Sequence, residues 1–146
     1  MMALTGTFER ALDDKKRIAV PKNLREEFSS NGISHAFVAP GQDRSLAIYS
    51  PAAFEQLAQK LAASTVNRVD NLNYQRLLYS RAEKVEFDSQ GRIRIPDRLV
   101  ELAQLKSEIV LLGVLDHAEI WDKAIWAEFL SRHATRFDEM AQSAFG

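Results

Sequence analysis

The side chains best placed to do chemistry in this chain are the cations crowded into one short stretch, Leu12-Asp13-Asp14-Lys15-Lys16-Arg17-Ile18-Ala19-Val20-Pro21, with Arg10 just upstream. A guanidinium grips phosphate or a guanine edge with two parallel hydrogen bonds, and an ammonium supplies a point-charge phosphate contact. Arg10, Lys15, Lys16 and Arg17 are therefore the candidate contact residues. Asp13 has a structural reading, because an Asp in a tight turn accepts backbone N–H bonds. One such carboxylate cannot neutralise all the cations around it. Residues 1–25 hold six cations and three acids, although the whole chain has a net charge of −1. A local cationic spot on a near-neutral protein is weak in one copy and strong when an oligomer lines up several.

Other chemistries find no support in the residue pattern. The chain has no Cys, so disulfides, zinc thiolates and cysteine nucleophiles are excluded. His35, His117 and His133 have no metal-ligand spacing. No Gly-rich phosphate loop or Gly-x-Ser-x-Gly elbow occurs, and no carboxylate lies in an apolar stretch that would raise its pKa for general acid work. We expect no enzyme activity, no cofactor and no metal. The rival enzyme reading, a hydrolase using an Asp from each turn, lacks an accompanying base or ligand set. Trp121 and Trp126 suit a core better than a base-stacking platform.

The elements that must position the cations repeat. Seventy-five residues on, the first pattern returns as Phe87-Asp88-Ser89-Gln90-Gly91-Arg92-Ile93-Arg94-Ile95-Pro96. In both copies an apolar strand end precedes the turn, Ile-x-β-branched alternates as a half-buried strand does, and Pro ends the strand and opens a helix. Leu24 and Phe28 then match Leu99 and Ala103, and two strands and a helix follow in each copy. Ser50 and Asp122 are the expected N-caps of those last helices. The second turn has Gln90-Gly91 where the first has Lys15-Lys16. It is the less cationic, so Asp88 and Arg92, like Asp13, are read as turn-structural residues. Arg94 and Arg98 add further cations near the second copy.

The expected strands are 4–12, 17–20, 35–40 and 45–49 in the first half, with a turn at Ser29-Ser30-Asn31-Gly32. Helix 51–63 follows, then a polar connector and a helix from Asn71 to about Arg81 capped by Asp70. With 146 residues, 46% apolar and 27% charged, the composition is that of a globular protein. Two halves of about 60 residues are too small to be independent. We expect one α+β domain, 1–146, of two pseudo-symmetric repeats, 4–63 and 80–133. Residues 64–79 form a connecting helical segment, and 134–146 a C-terminal helical tail. No run of apolar residues is long enough for a membrane span, and no signal peptide is evident, so a cytoplasmic protein without membrane partners is expected.

The two tandem Asp-x-x-x-Arg turns, with Ile120-Trp121-Asp122-Lys123 near the end, resemble the MraZ family over about residues 3–133. That resemblance implies a swapped-hairpin (AbrB-like) β-barrel built from two tandem βαβ-containing repeats with flanking helices. It implies ring-shaped homo-oligomers that bind double-stranded DNA at promoter direct repeats. Their target is the bacterial division and cell wall gene cluster, and they act as nucleoid-associated transcriptional regulators, usually repressors. Carried over, the family's DNA-reaching Lys and Arg are Lys15 and Arg17. Lys16 stands where the family often has Gly, which tolerates positive φ better. The alternative is an AbrB-like antitoxin or protein-interaction module that ignores promoter DNA.

Overall fold

The computed structural model describes residues 3–28 and 35–146. The turn expected at Ser29–Gly32 lies outside them. The first half runs β1 (Thr7–Ala11), β2 (Arg17–Ala19), α1 (Lys22–Phe28), β3 (His35–Pro40), β4 (Leu46–Tyr49) and α2 (Pro51–Ala63). After α3 (Arg68–Arg81) the same order returns as β5 (Glu83–Glu86), β6 (Arg92–Arg94), α4 (Asp97–Leu102), β7 (Glu108–Val114), β8 (His117–Asp122) and α5 (Lys123–His133). A 3-10 turn at Ala134–Arg136 leads into α6 (Phe137–Phe145).

Local chemistry explains the boundaries. β1 is shorter than the expected 4–12, because Gly6 takes φ +100° and breaks the extended run. Leu4 still makes a lone bridge to Leu115. The Ser50 hydroxyl accepts from Ala53 N at 3.1 Å and caps α2. Asp122, only 2% exposed, caps α5 through Ala124 N and also accepts from Lys106 N. The cap of α3 is not Asp70 but Asn67, which adopts left-handed φ 44° and accepts from Asp70 N. Asp70 lies in the first turn, where its carboxylate takes a 2.8 Å bond from Asn67 Nδ2 and faces the helix's positive end.

The strands form two sheets. Six assemble in the order β1-β7-β8-β4-β3-β5, and β2 pairs with β6 in a separate two-stranded ribbon. All pairings are antiparallel. The first strand of each half is given to the other: β1 lies on β7, with Glu9 opposite Val110, and β5 lies on β3, with Ala36 opposite Val85. β4 and β8 meet at the centre, near the pseudo-two-fold axis. β1 and β5 remain as the edges of the large sheet, and the ribbon does not join its ladder, so among the described residues hydrogen bonding does not close one continuous barrel.

The ribbon instead packs on one face of the sheet. Ile18 and Ile93 face each other across it, at 0% and 1% exposure, and join Ile109, Leu111, Ile120 and Ile48 in the main core. Leu24, Phe28 and Leu99 from α1 and α4 close that core. The other sheet face is covered at one end by α5, where Trp121, Trp126 and Phe129 pack edge-on and stacked. Trp121 is thus a core residue, 3% exposed. No helix among the described residues is long and apolar enough to cross a membrane.

Candidate nucleic-acid interface

Each Asp-x-x-x-Arg segment folds as the same clasp. Asp13 Oδ1 accepts from Lys15 N at 3.0 Å and from Arg17 N at 2.8 Å, while Oδ2 accepts from Arg17 Nε at 2.8 Å. Asp88 repeats this with Gln90 N, Arg92 N and Arg92 Nε at 2.9, 2.9 and 2.8 Å. The backbone N–H of Arg17, followed by its side chain, holds the Asp13 carboxyl below the ordinary carboxylate range, and Arg92 does the same for Asp88. Each carboxylate thereby satisfies donors that a four-residue turn would otherwise leave to water.

The clasps make Arg17 and Arg92 geometric equivalents, with side chains 29% and 27% exposed. Both are ordered by an Nε contact, and a fork held at Nε keeps its terminal Nη groups for another acceptor. The halves differ in what surrounds them. Lys16 occupies the left-handed region at φ 62°, the backbone slot that Gly91 fills at φ 76° in the second turn. The Arg25 guanidinium from the first half lies directly over Gly91, where a Cβ would collide with it. In the repeat, the counterpart of Arg25 is Val100, a shorter side chain. The Lys16 carbonyl accepts from Ile95 N at 2.8 Å, so each turn is also tied to the opposite half.

Lys15, Lys16 and Arg17 line an open surface hollow of about 590 Å³ with Asp14, Arg94 and Asp97. Arg10 does not line that hollow. It folds back over the Phe8 ring, 5.7 Å from the ring centre, and donates to the carbonyl of Glu9. Arg94 belongs to the second repeat, yet antiparallel pairing of β2 with β6 sets it opposite Arg17. The only available signal was conditional: if the two Ile-x-Ile/Val segments pair with each other, their outward positions become neighbours.

A second concavity, of about 440 Å³, lies on the outer sheet face between α5 and α3, lined among others by Tyr49, Tyr74, His117, Glu119 and Trp126. His117 bonds Asp116 at 2.8 Å and Glu119 at 3.1 Å and stacks on Tyr49. The Glu119 contact raises the His117 pKa against the opposing effect of burial. Burial works to raise Glu119, but bonds from His117 and the Trp121 indole outweigh it and leave it lowered. Burial, with the neighbouring Tyr74 and acids, pushes the Tyr49 phenol up to about 12. No group of three or more potential metal ligands occurs among the described residues.

With this geometry in hand, similarity to known proteins is specific. The profile of one family, described as "MraZ protein, putative antitoxin-like", matches residues 3–75 and again 78–146. A protein of Corynebacterium urealyticum named Transcriptional regulator MraZ is 39% identical over 140 residues, covering 96% of this chain and 95% of its own length. Its namesake from Pediococcus pentosaceus is 35% identical over 94% of both chains, and that from Thermomicrobium roseum 36% identical over 84% and 83%.

Proposed function

Because the chain belongs to the MraZ family, we propose that it is a non-enzymatic, sequence-specific DNA-binding transcriptional regulator. In this reading it acts in the cytoplasm, associated with the nucleoid, as a repressor of the division and cell wall gene cluster. The single observation that carries the reading is the clasped first turn. Three consecutive cations line the hollow at this turn, with Arg17 held by Asp13. A preorganised guanidinium loses less entropy when it engages a phosphate or base edge, and the lysines add point charge beside it. Arg17, Lys15 and Lys16 are the contacts that the turn presents; Arg10, folded over Phe8, approaches only if it leaves that ring.

One turn per chain gives modest affinity. We propose that the two exchanged halves, with the β2–β6 ribbon across them, act as a single swapped-hairpin unit, and that several units assemble into a ring facing direct repeats in the promoter. Each further turn then engages intramolecularly. Support for assembly comes from α6, whose Phe137, Met140 and Phe145 are 72%, 38% and 92% exposed on one stripe at helical spacing. Apolar side chains left out in this number suit a neighbouring copy.

The test is titration of the DNA upstream of the protein's own gene. Tight binding that weakens steeply with salt, and a loss of roughly 1–3 kcal/mol per engaged subunit for Arg17→Ala, is the expected result. Unchanged binding by Arg17→Ala, or no preference for that DNA, refutes the reading and favours a protein-interaction module.

A further inference from the structure

The two ends of the ribbon are unequally charged, and both repeats build the more cationic one. β2 and β6 run antiparallel, with Ile18 opposite Ile93 on the buried face and Arg17 opposite Arg94 on the outer face. The end of β6 is thereby brought to the start of β2, where the first turn lies. Arg94 lines the same hollow as Lys15, Lys16 and Arg17. In the repeat, Arg94 corresponds to Ala19, so the other end of the ribbon pairs Ala19 with the clasped Arg92 and has Arg25 over Gly91, but it lacks a counterpart of Arg94 and of the two lysines.

The state of Arg94 differs from that of its neighbour. Arg17 is clasped by Asp13 at 2.8 Å and is 29% exposed, whereas the Arg94 side chain is 63% exposed. Its partner is Asp97, 72% exposed and 3.8 Å away. An exposed pair at that separation is worth little in water and yields readily to a stronger acceptor. The hollow therefore combines one clasped guanidinium, one weakly paired guanidinium and two ammonium groups against the carboxylates Asp14 and Asp97.

From this juxtaposition we infer that the hollow is a phosphodiester subsite, in which Arg94 of the second repeat closes on the same backbone phosphate as Lys15 or Lys16 of the first. This rests on the DNA-binding reading and extends it. Arg94 fixes where the backbone sits, and the oriented Arg17 is left to meet base edges. Asp97 is the internal competitor that the phosphate displaces.

The experiment measures fluorescence anisotropy against salt, using the DNA upstream of the gene and a scrambled duplex of the same length and composition. Arg94→Ala is expected to weaken binding to both duplexes by the same factor, and to flatten the slope of log affinity on log salt by about one per engaged hollow. Arg94→Lys keeps the slope, and Asp97→Asn tightens binding to both duplexes. Parental affinity and slope for Arg94→Ala overturn the inference while leaving the DNA reading intact. A loss confined to the promoter sequence also overturns it, since that is the mark of a base contact. If the parent protein binds neither duplex, the DNA reading fails and the subsite with it.

Discussion

Changing each of the two left-handed turn residues tests what that backbone conformation costs. Lys16 holds φ 62°, and Gly91 holds φ 76° at the matching position. For a residue with a Cβ, the left-handed region costs roughly 1–2 kcal/mol, and glycine gives back about 0.5–1 kcal/mol because its unfolded chain is freer. Lys16→Gly should thus stabilise the fold by about 0.5–1 kcal/mol. At the scale of 2–4 °C per kcal/mol for a chain of this size, that is a rise in Tm of about 1–4 °C. Gly91→Ala should do the reverse and more. It adds the left-handed cost, and its methyl group displaces the Arg25 guanidinium lying there, for a loss of about 1–2 kcal/mol. Thermal and urea unfolding at matched protein concentration would read both, since self-association moves the midpoints. A fall in Tm for Lys16→Gly, or a rise for Gly91→Ala, would show that turn strain does not set the balance. On the DNA-binding reading proposed above, Lys16→Gly should also bind DNA with a shallower salt dependence, because that reading makes Lys16 a phosphate contact.

Two further outcomes test the rest of the framework. Ile93→Ala removes a 1% exposed side chain that packs against Ile18 between ribbon and sheet, and should cost about 2–5 kcal/mol in urea unfolding; a loss under about 1 kcal/mol would mean that the ribbon is not seated on the core. His117 has a folded pKa raised above its ordinary 6.5 by Glu119 and Asp116. Its contribution is therefore fully present below pH 6.5 and lost as pH rises through the elevated value. Stability of the parent should fall across that window more than stability of His117→Gln, and parallel pH profiles would refute the assignment.

Local pattern and long-range pairing were not equally readable. The turn, the proline that ends each short strand, and the caps Ser50 and Asp122 were legible, because each depends on neighbours within four residues. The connector is less legible. Asp70 has cap chemistry, but Asn67 three residues earlier can also take the left-handed conformation, and the helix starts there. The exchange of β1 and β5 between halves leaves no mark in periodicity, since an alternating strand does not name its partner. For the same reason Arg94 reads from sequence only as a further cation of the second copy, while the ladder sets it beside Arg17. Arg10 and Arg17 looked alike by composition, and geometry separates them: one is clasped in the turn, the other laid over a phenyl ring.

The trade of first strands between repeats has a consequence for what the surface can become. Two separate identical chains that swapped strands in this way would have to display each loop twice, with equal charge on both sides of their axis. Joining them in one polypeptide lifts that obligation. Here one loop has two lysines where its twin has a glutamine and a glycine beneath an arginine, so a nearly two-fold scaffold carries unequal charge at its two turns, and its two ends are no longer interchangeable.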